Sequence, residues 1–135
     1  MESLIQKTIL KPLIFKGIGL HSGKIANLMI YPAKDNEGIV FKRTDLSEKN
    51  IIKASFKNVA SAKLCTTLTN ESGISVSTVE HLLAAFYITG VDNAIVEIDN
   101  QEIPIMDGSS KDFVEMIKKT GLKNLTMKRK FLKIT

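Results

Sequence analysis

Glu80 and His81 stand side by side in the run Ser77-Thr78-Val79-Glu80-His81-Leu82-Leu83-Ala84-Ala85-Phe86, and of all residues in this chain they are the best suited to chemistry. A carboxylate can take up a proton and an imidazole can hold a metal, so the pair has the parts of a metal-assisted proton-transfer site. The rest of the run is apolar and helical in spacing. At about 100° per residue, Val79, Leu82, Leu83 and Phe86 share one stripe, His81 falls nearly opposite, and Glu80 lies between. Ala84, Ala85 and Ile88 occupy the side of the polar pair, where a one-sided surface helix would carry Lys, Glu or Gln. That second face is expected to be the less buried and to await a partner.

The same residues also have a plainer reading. Ser77-Thr78-Val79-Glu80 matches the capping box, in which Ser77 and Glu80 each accept a hydrogen bond from the other's backbone N–H. A lone histidine is more often a hydrogen-bonded structural residue than a ligand, and metal sites need roughly three or four donors. The chain has two histidines, His21 and His81, and one cysteine, Cys65.

The elements that must position these groups follow from hydropathy patterning. Residues 7–15 read as a strand, Gly17-Ile18-Gly19-Leu20-His21-Ser22-Gly23 as a glycine-rich turn, and residues 25–31 as the returning strand of a hairpin. Further strands are predicted at 39–43, 51–59, 64–68 and 74–76, the last two flanking the turn Asn70-Glu71-Ser72-Gly73. A helix over 78–88 should stop near Gly90. A strand at 94–98 then leads through Glu102-Ile103-Pro104-Ile105-Met106-Asp107-Gly108-Ser109 into a helix over 111–119, with Phe113, Met116 and Ile117 at core spacing and Gly121 after it. Residues 131–134 read as one more strand. The natural packing is an α+β two-layer domain: six or seven mostly antiparallel strands in a sheet, covered on one face by two helices.

Composition narrows the class. At 135 residues, 44% hydrophobic and 24% charged, the chain suits a single domain, 1–135, with a real core. One cysteine excludes an intramolecular disulfide, the N-terminal residues lack a signal peptide's apolar run, and no stretch reaches membrane-spanning length. A cytoplasmic protein is expected. The net charge of +5 comes from scattered basic residues, apart from Lys128-Arg129-Lys130, and aromatics are 6% of the chain. This is the pattern of a solvated basic surface rather than of a nucleic-acid binder, so no nucleic-acid partner is expected.

Taken together, the motifs resemble those of the zinc-dependent UDP-3-O-acyl-N-acetylglucosamine deacetylases of lipid A synthesis. The resemblance runs through Gly17-Ile18-Gly19-Leu20-His21-Ser22-Gly23, the segment from Gly38 to Leu46, Leu64-Cys65-Thr66-Thr67-Leu68, Thr78-Val79-Glu80-His81-Leu82, Val91-Asp92-Asn93-Ala94 and Glu102-Ile103-Pro104-Ile105-Met106-Asp107-Gly108-Ser109. It departs at Ser61-Ala62-Lys63, where the family usually has Asp-Thr.

Enzymes of this family have two similar domains with the active site between them, and this chain resembles the first. The resemblance implies Zn2+ as cofactor, a UDP-linked acylated N-acetylglucosamine as substrate, Glu80 as general base and His81 as the first zinc ligand. It places His21 on the substrate side of the site, and Leu64 and Cys65 beside the acyl-chain pocket. Read without the resemblance, His21 is a loop hydrogen-bonder, and Leu64 and Cys65 are strand residues packing inward. Asp107-Gly108-Ser109 reads as a turn with a helix cap. The family's two other zinc ligands, in a His-Lys-x-x-Asp motif, and its general acid belong to the C-terminal domain and have no counterpart here. The expected function is therefore the first half of a zinc-dependent deacetylase, inactive without the second. The alternative is a non-catalytic module of the same fold that binds a sugar nucleotide or a protein.

Overall fold

Pro12 divides the first apolar run. It has no N–H to give a ladder and its φ is fixed, so the strand predicted over 7–15 becomes two, β1 (Ile5–Ile9) and β2 (Leu13–Ile18), which join different sheets. The computed structural model describes residues 5–55, 58–61 and 66–129. Strands β3 (Ile25–Pro32), β4 (Ile39–Arg43), β5 (Ile51–Lys53), β6 (Val59–Ser61), β7 (Thr67–Thr69) and β8 (Ser75–Ser77) come next. They are followed by helix α1 (Glu80–Thr89), strand β9 (Ala94–Ile98), helix α2 (Lys111–Thr120) and strand β10 (Leu122–Lys128).

The α+β class and the mostly antiparallel pairing agree with the sequence reading, but the described strands form three sheets instead of one. The largest has the order β2-β3-β9-β4-β5, and β1-β10 and β6-β7-β8 form the others. Strands β2 and β3 form the expected hairpin, from Leu13 opposite Ile30 to Ile18 opposite Ile25, with Gly17 and Ile18, read from the sequence as turn, extending β2. Strand β9 lies antiparallel to β3 and parallel to β4. A parallel pair needs a long crossover, and here the crossover from β4 to β9 contains β5 to β8 and α1. The topology thereby sets α1 over one face of the large sheet.

Alternation along the strands turns Phe15, Leu28, Ile30, Phe41, Ile52, Val96 and Ile98 to that face, where all are buried. Leu82, Ala85 and Phe86 of α1 and Phe113 and Ile117 of α2 close the same core, and the Phe15 and Phe113 rings meet edge to face at 5.0 Å.

Several predicted details change. Strand 51–59 is two short strands, β5 and β6. Met116 lies on the flank of α2 and is 37% exposed, because Phe113 and Ile117, four apart, already fill its core stripe. Leu64, Cys65 and the strand predicted at 131–134 lie outside the described residues. Strand β10 was not predicted. Its side chains are mostly exposed, so it carries no amphipathic signal and is held by its ladder to β1. None of the described helices is long and apolar enough to cross a membrane.

The two faces of α1 also need one correction. Ala84, Tyr87 and Ile88 are exposed, with Tyr87 at 89%, while Leu82 and Phe86 are buried, as expected. Ala85, placed on the open face by the sequence reading, is fully buried, since it follows Leu82 by three positions and so shares its stripe. Ala85→Leu is therefore expected to overpack the core and cost about 1–3 kcal/mol. Ala84→Leu should stay within about 0.5 kcal/mol of the parent. Urea unfolding of the two variants checks this, and equal costs would contradict the facing of the helix.

Candidate active site

Glu80 begins α1 without capping it. The N-cap position is Val79, with φ −87° and ψ −9°, and no side chain hydrogen-bonds the helix start, so the capping box read from Ser77 and Glu80 does not form. Ser77 is occupied elsewhere: its N–H donates to Gln101 O at 2.8 Å and its carbonyl accepts from Ile103 N at 3.0 Å. Between Ser77 and the helix the chain turns through Thr78 at φ +60°, a left-handed conformation that is strained for a β-branched residue.

Released from the cap, the half-buried Glu80 carboxylate meets the neighbour of Cys65. Its Oε2 accepts from Thr66 N at 3.3 Å, while Thr66 O accepts from Val79 N at 3.3 Å. Its Oε1 is buried and has no hydrogen-bond partner among the described residues. An unpaired buried carboxylate oxygen costs stability, and a catalytic role is one reason for a fold to keep it. His81, also half-buried, follows on the next position, and its ring has no partner among the described residues. The described residues contain no group of three or more His, Cys, Asp or Glu able to hold a metal.

The second part of the site is a carboxylate to which the sequence reading assigned no role. Glu102 is buried, 3% exposed, and gathers the glycine-rich turn and the entry to α1 around itself. Its oxygens accept from Ser22 N at 2.9 Å, His21 N at 3.1 Å, His21 Nδ1 at 2.7 Å and Thr78 Oγ1 at 2.8 Å. His21 thus is a hydrogen-bonder of the loop, with its partner Glu102 outside that loop, and its side chain remains 47% exposed beside a polar cleft of about 280 Å³ that it lines with Ser22, Ser77 and Gln101. Two glycines make room for this arrangement. A Cβ on Gly19 would strike Glu102 Oε1 and Ser22 Oγ, and one on Gly17 would strike Pro104 Cβ. The signal for Glu102 in the sequence is its isolation: one carboxylate in the apolar stretch that ends at Met106.

Burial alone would raise the Glu102 carboxyl pKa. The hydrogen bonds from Ser22 N, the His21 ring, Thr78 Oγ1 and His21 N outweigh it and hold the carboxyl at about 2, from an ordinary 4.5. Because the folded value is the lower one, this stabilisation is present above about pH 4.5 and is lost as pH falls toward about 2. It amounts to roughly 3 kcal/mol at neutral pH. Unfolding free energies of the parent chain should fall by that order between about pH 5 and pH 2.5, and Glu102→Gln should flatten the profile. Parallel profiles for the two proteins would contradict it.

Asp107 and Ser109 form a local turn. Asp107 Oδ1 accepts from Ser109 N at 3.0 Å and Ser109 Oγ at 2.8 Å, and Ser109 Oγ accepts from Lys111 N at 3.2 Å at the start of α2. The Val91-Asp92-Asn93-Ala94 motif is likewise structural. Asn93 Oδ1 accepts from Gly38 N at 2.8 Å and its amide donates to Gln6 Oε1 at 3.0 Å, while Asp92 Oδ2 accepts from Lys7 N at 2.8 Å. These bonds tie β1 to the large sheet.

A family model described as UDP-3-O-acyl N-acetylglycosamine deacetylase matches residues 6–135. The chain is 47% identical over 131 residues to a Shewanella frigidimarina protein named UDP-3-O-acyl-N-acetylglucosamine deacetylase, covering 97% of this chain and 43% of the relative. A protein of the same name from Shewanella baltica is 46% identical over 131 residues, with the same coverage. The chain spans 43% of the length of these curated relatives.

Proposed function

Since the chain belongs to the UDP-3-O-acyl N-acetylglycosamine deacetylase family, we propose that residues 1–135 form its first domain and supply half of a zinc-dependent amide-hydrolysing site. The substrate is a UDP-linked acylated N-acetylglucosamine and the products are acetate and the free amine. Glu80 is the general base, His81 one zinc ligand, and His21 borders the substrate. Leu64 and Cys65 stand beside the acyl chain. The second domain carries the remaining zinc ligands, in a His-Lys-x-x-Asp motif, and the general acid. A cytoplasmic setting belongs to the same reading.

The observation that carries this reading is the buried Oε1 of Glu80, without a hydrogen-bond partner among the described residues, next to His81. A capping carboxylate would turn back to the backbone N–H of Ser77; this one does not, and its Oε1 has no donor among the described residues. The donor set suits zinc, which in catalytic sites takes three protein ligands and leaves a position open, His81 being one of the three. When bound, zinc acidifies water and polarises the amide carbonyl. Glu80 takes the proton from the attacking water, and the hydrogen bond from Thr66 N to Oε2 keeps the carboxylate oriented while Oε1 does so. The exposed Ala84, Tyr87 and Ile88 extend along α1 from this polar pair and form the face on which the second domain closes the site.

Deacetylation of the UDP-linked substrate should be detected when the chain is combined with the second domain, and absent from the 135-residue chain alone. A combined protein that binds zinc without releasing acetate would overturn the proposal. The chain alone is expected to hold zinc weakly, since His81 and Glu80 fall short of a full ligand set. Equilibrium dialysis against zinc, followed by metal analysis, checks this, and tight stoichiometric zinc would mean a different ligand set.

A further inference from the structure

Glu102 stands where three separated pieces of chain converge, and its partners have different parts in the site just proposed, on which this inference rests. The stretch 101–105 is stitched to the entry of α1 by the Ser77 hydrogen bonds, and to the end of β2 by Ile105 N donating to Ile18 O at 2.9 Å. Glu102 lies between those stitches. An ionised carboxylate only accepts, so every group around it must present hydrogen: two backbone N–H groups, the Thr78 hydroxyl and the Nδ1 position of His21. A free neutral imidazole divides its proton between two nitrogens, whereas His21 has Nδ1 committed to Glu102 at 2.7 Å.

The geometry points to Glu102 as the positioning residue of this site: it holds neutral His21 as the Nδ1–H tautomer, leaving Nε2 as an acceptor for a substrate hydroxyl or amide N–H, and it braces the strained Thr78 turn that aims Glu80. One carboxylate thereby couples the glycine-rich turn to the catalytic helix. Three features of the chain serve this coupling. Gly19 leaves room for Oε1, Thr78 adopts its left-handed conformation while donating to Oε2, and burial keeps water from competing for the oxygens. Glutamine cannot replace it, because its single acceptor oxygen and its donor NH2 would face four hydrogen-bond donors.

The tautomer is read by imidazole nitrogen NMR on the isolated chain, with His21 identified by its absence in His21→Gln. The parent should show one Nδ1–H tautomer for His21 at mildly alkaline pH; a mixture, or Nε2–H, overturns the inference. Glu102→Gln should release His21 to the mixture, whereas Thr78→Val, which removes a different bond to the same carboxylate, should leave the tautomer intact. Retention of Nδ1–H in Glu102→Gln also overturns it. If Glu102→Gln does not fold, the parent and Thr78→Val spectra still decide.

In the two-domain enzyme, Glu102→Gln and His21→Gln should each lower kcat/KM, by on the order of 10-fold. The double variant should fall little further than the worse single one, because Glu102 acts through His21. Additive losses would show Glu102 to be a structural support and would overturn the positioning role. Absence of deacetylase activity in the parent enzyme would instead refute the proposed function, leaving the tautomer to judge Glu102 by itself.

Discussion

Glu80→Gln in the assembled two-domain protein is expected to lower kcat by about 10²–10⁴-fold with the fold and the zinc content unchanged. The substitution is nearly isosteric. Its amide oxygen can still accept from Thr66 N, as Oε2 does at 3.3 Å, so the packing at the head of α1 is kept. What it removes is the lone pair that takes the proton from the attacking water. The contrary expectation belongs to the capping box, where Gln serves nearly as well as Glu and activity would survive. The geometry of Val79 and the engagement of Ser77 with Gln101 and Ile103 have already removed that role. Melting temperature, zinc content and kcat on the one variant decide the matter. An active Glu80→Gln enzyme would sink the mechanism.

Phe86→Ala should cost the isolated chain about 3–5 kcal/mol, a large part of the roughly 5–15 kcal/mol that holds a typical domain together. Phe86 is 1% exposed, and with Leu82 and Ala85 it seats α1 on the large sheet. Truncation leaves a cavity that rigid strands on one side cannot fill. Tyr87, the next residue, is 89% exposed, and Tyr87→Ala should change stability by no more than about 0.5 kcal/mol. The two variants differ by one step around the helix, so urea unfolding of both measures how α1 is seated. Equal costs would mean that the buried and open faces are wrongly assigned. The seating matters for chemistry, because α1 carries Glu80 and His81 at the end opposite Gly90.

Much of this architecture was legible in residue spacing. Apolar runs bounded by turn residues marked β3, β4 and β9, apolar residues three and four apart marked both helices, and Gly90 stops α1 in the left-handed conformation expected of a C-terminal glycine. These are local properties. Each depends on a residue and its neighbours within a turn or two, and the chain has no freedom to hide them. Spacing also placed Glu80 and His81 together, since adjacency in sequence is adjacency in space.

The tertiary structure alone decided how the local pieces were used. Strand β10 exists because β1 offers it a ladder, although its exposed side chains announce nothing. Ser77 could have capped α1, but Gln101 and Ile103 hold its backbone in an extended ladder, and so Glu80 keeps an oxygen without a partner among the described residues. Glu102 and His21 are 81 positions apart and meet at 2.7 Å only because the 101–105 stretch is threaded between β2 and the start of α1. Hydropathy periodicity records which way a side chain faces relative to its own element. Which distant segment waits on that side is settled by the sum of all the packing in the fold, and the partners of the site's carboxylates are of that second kind.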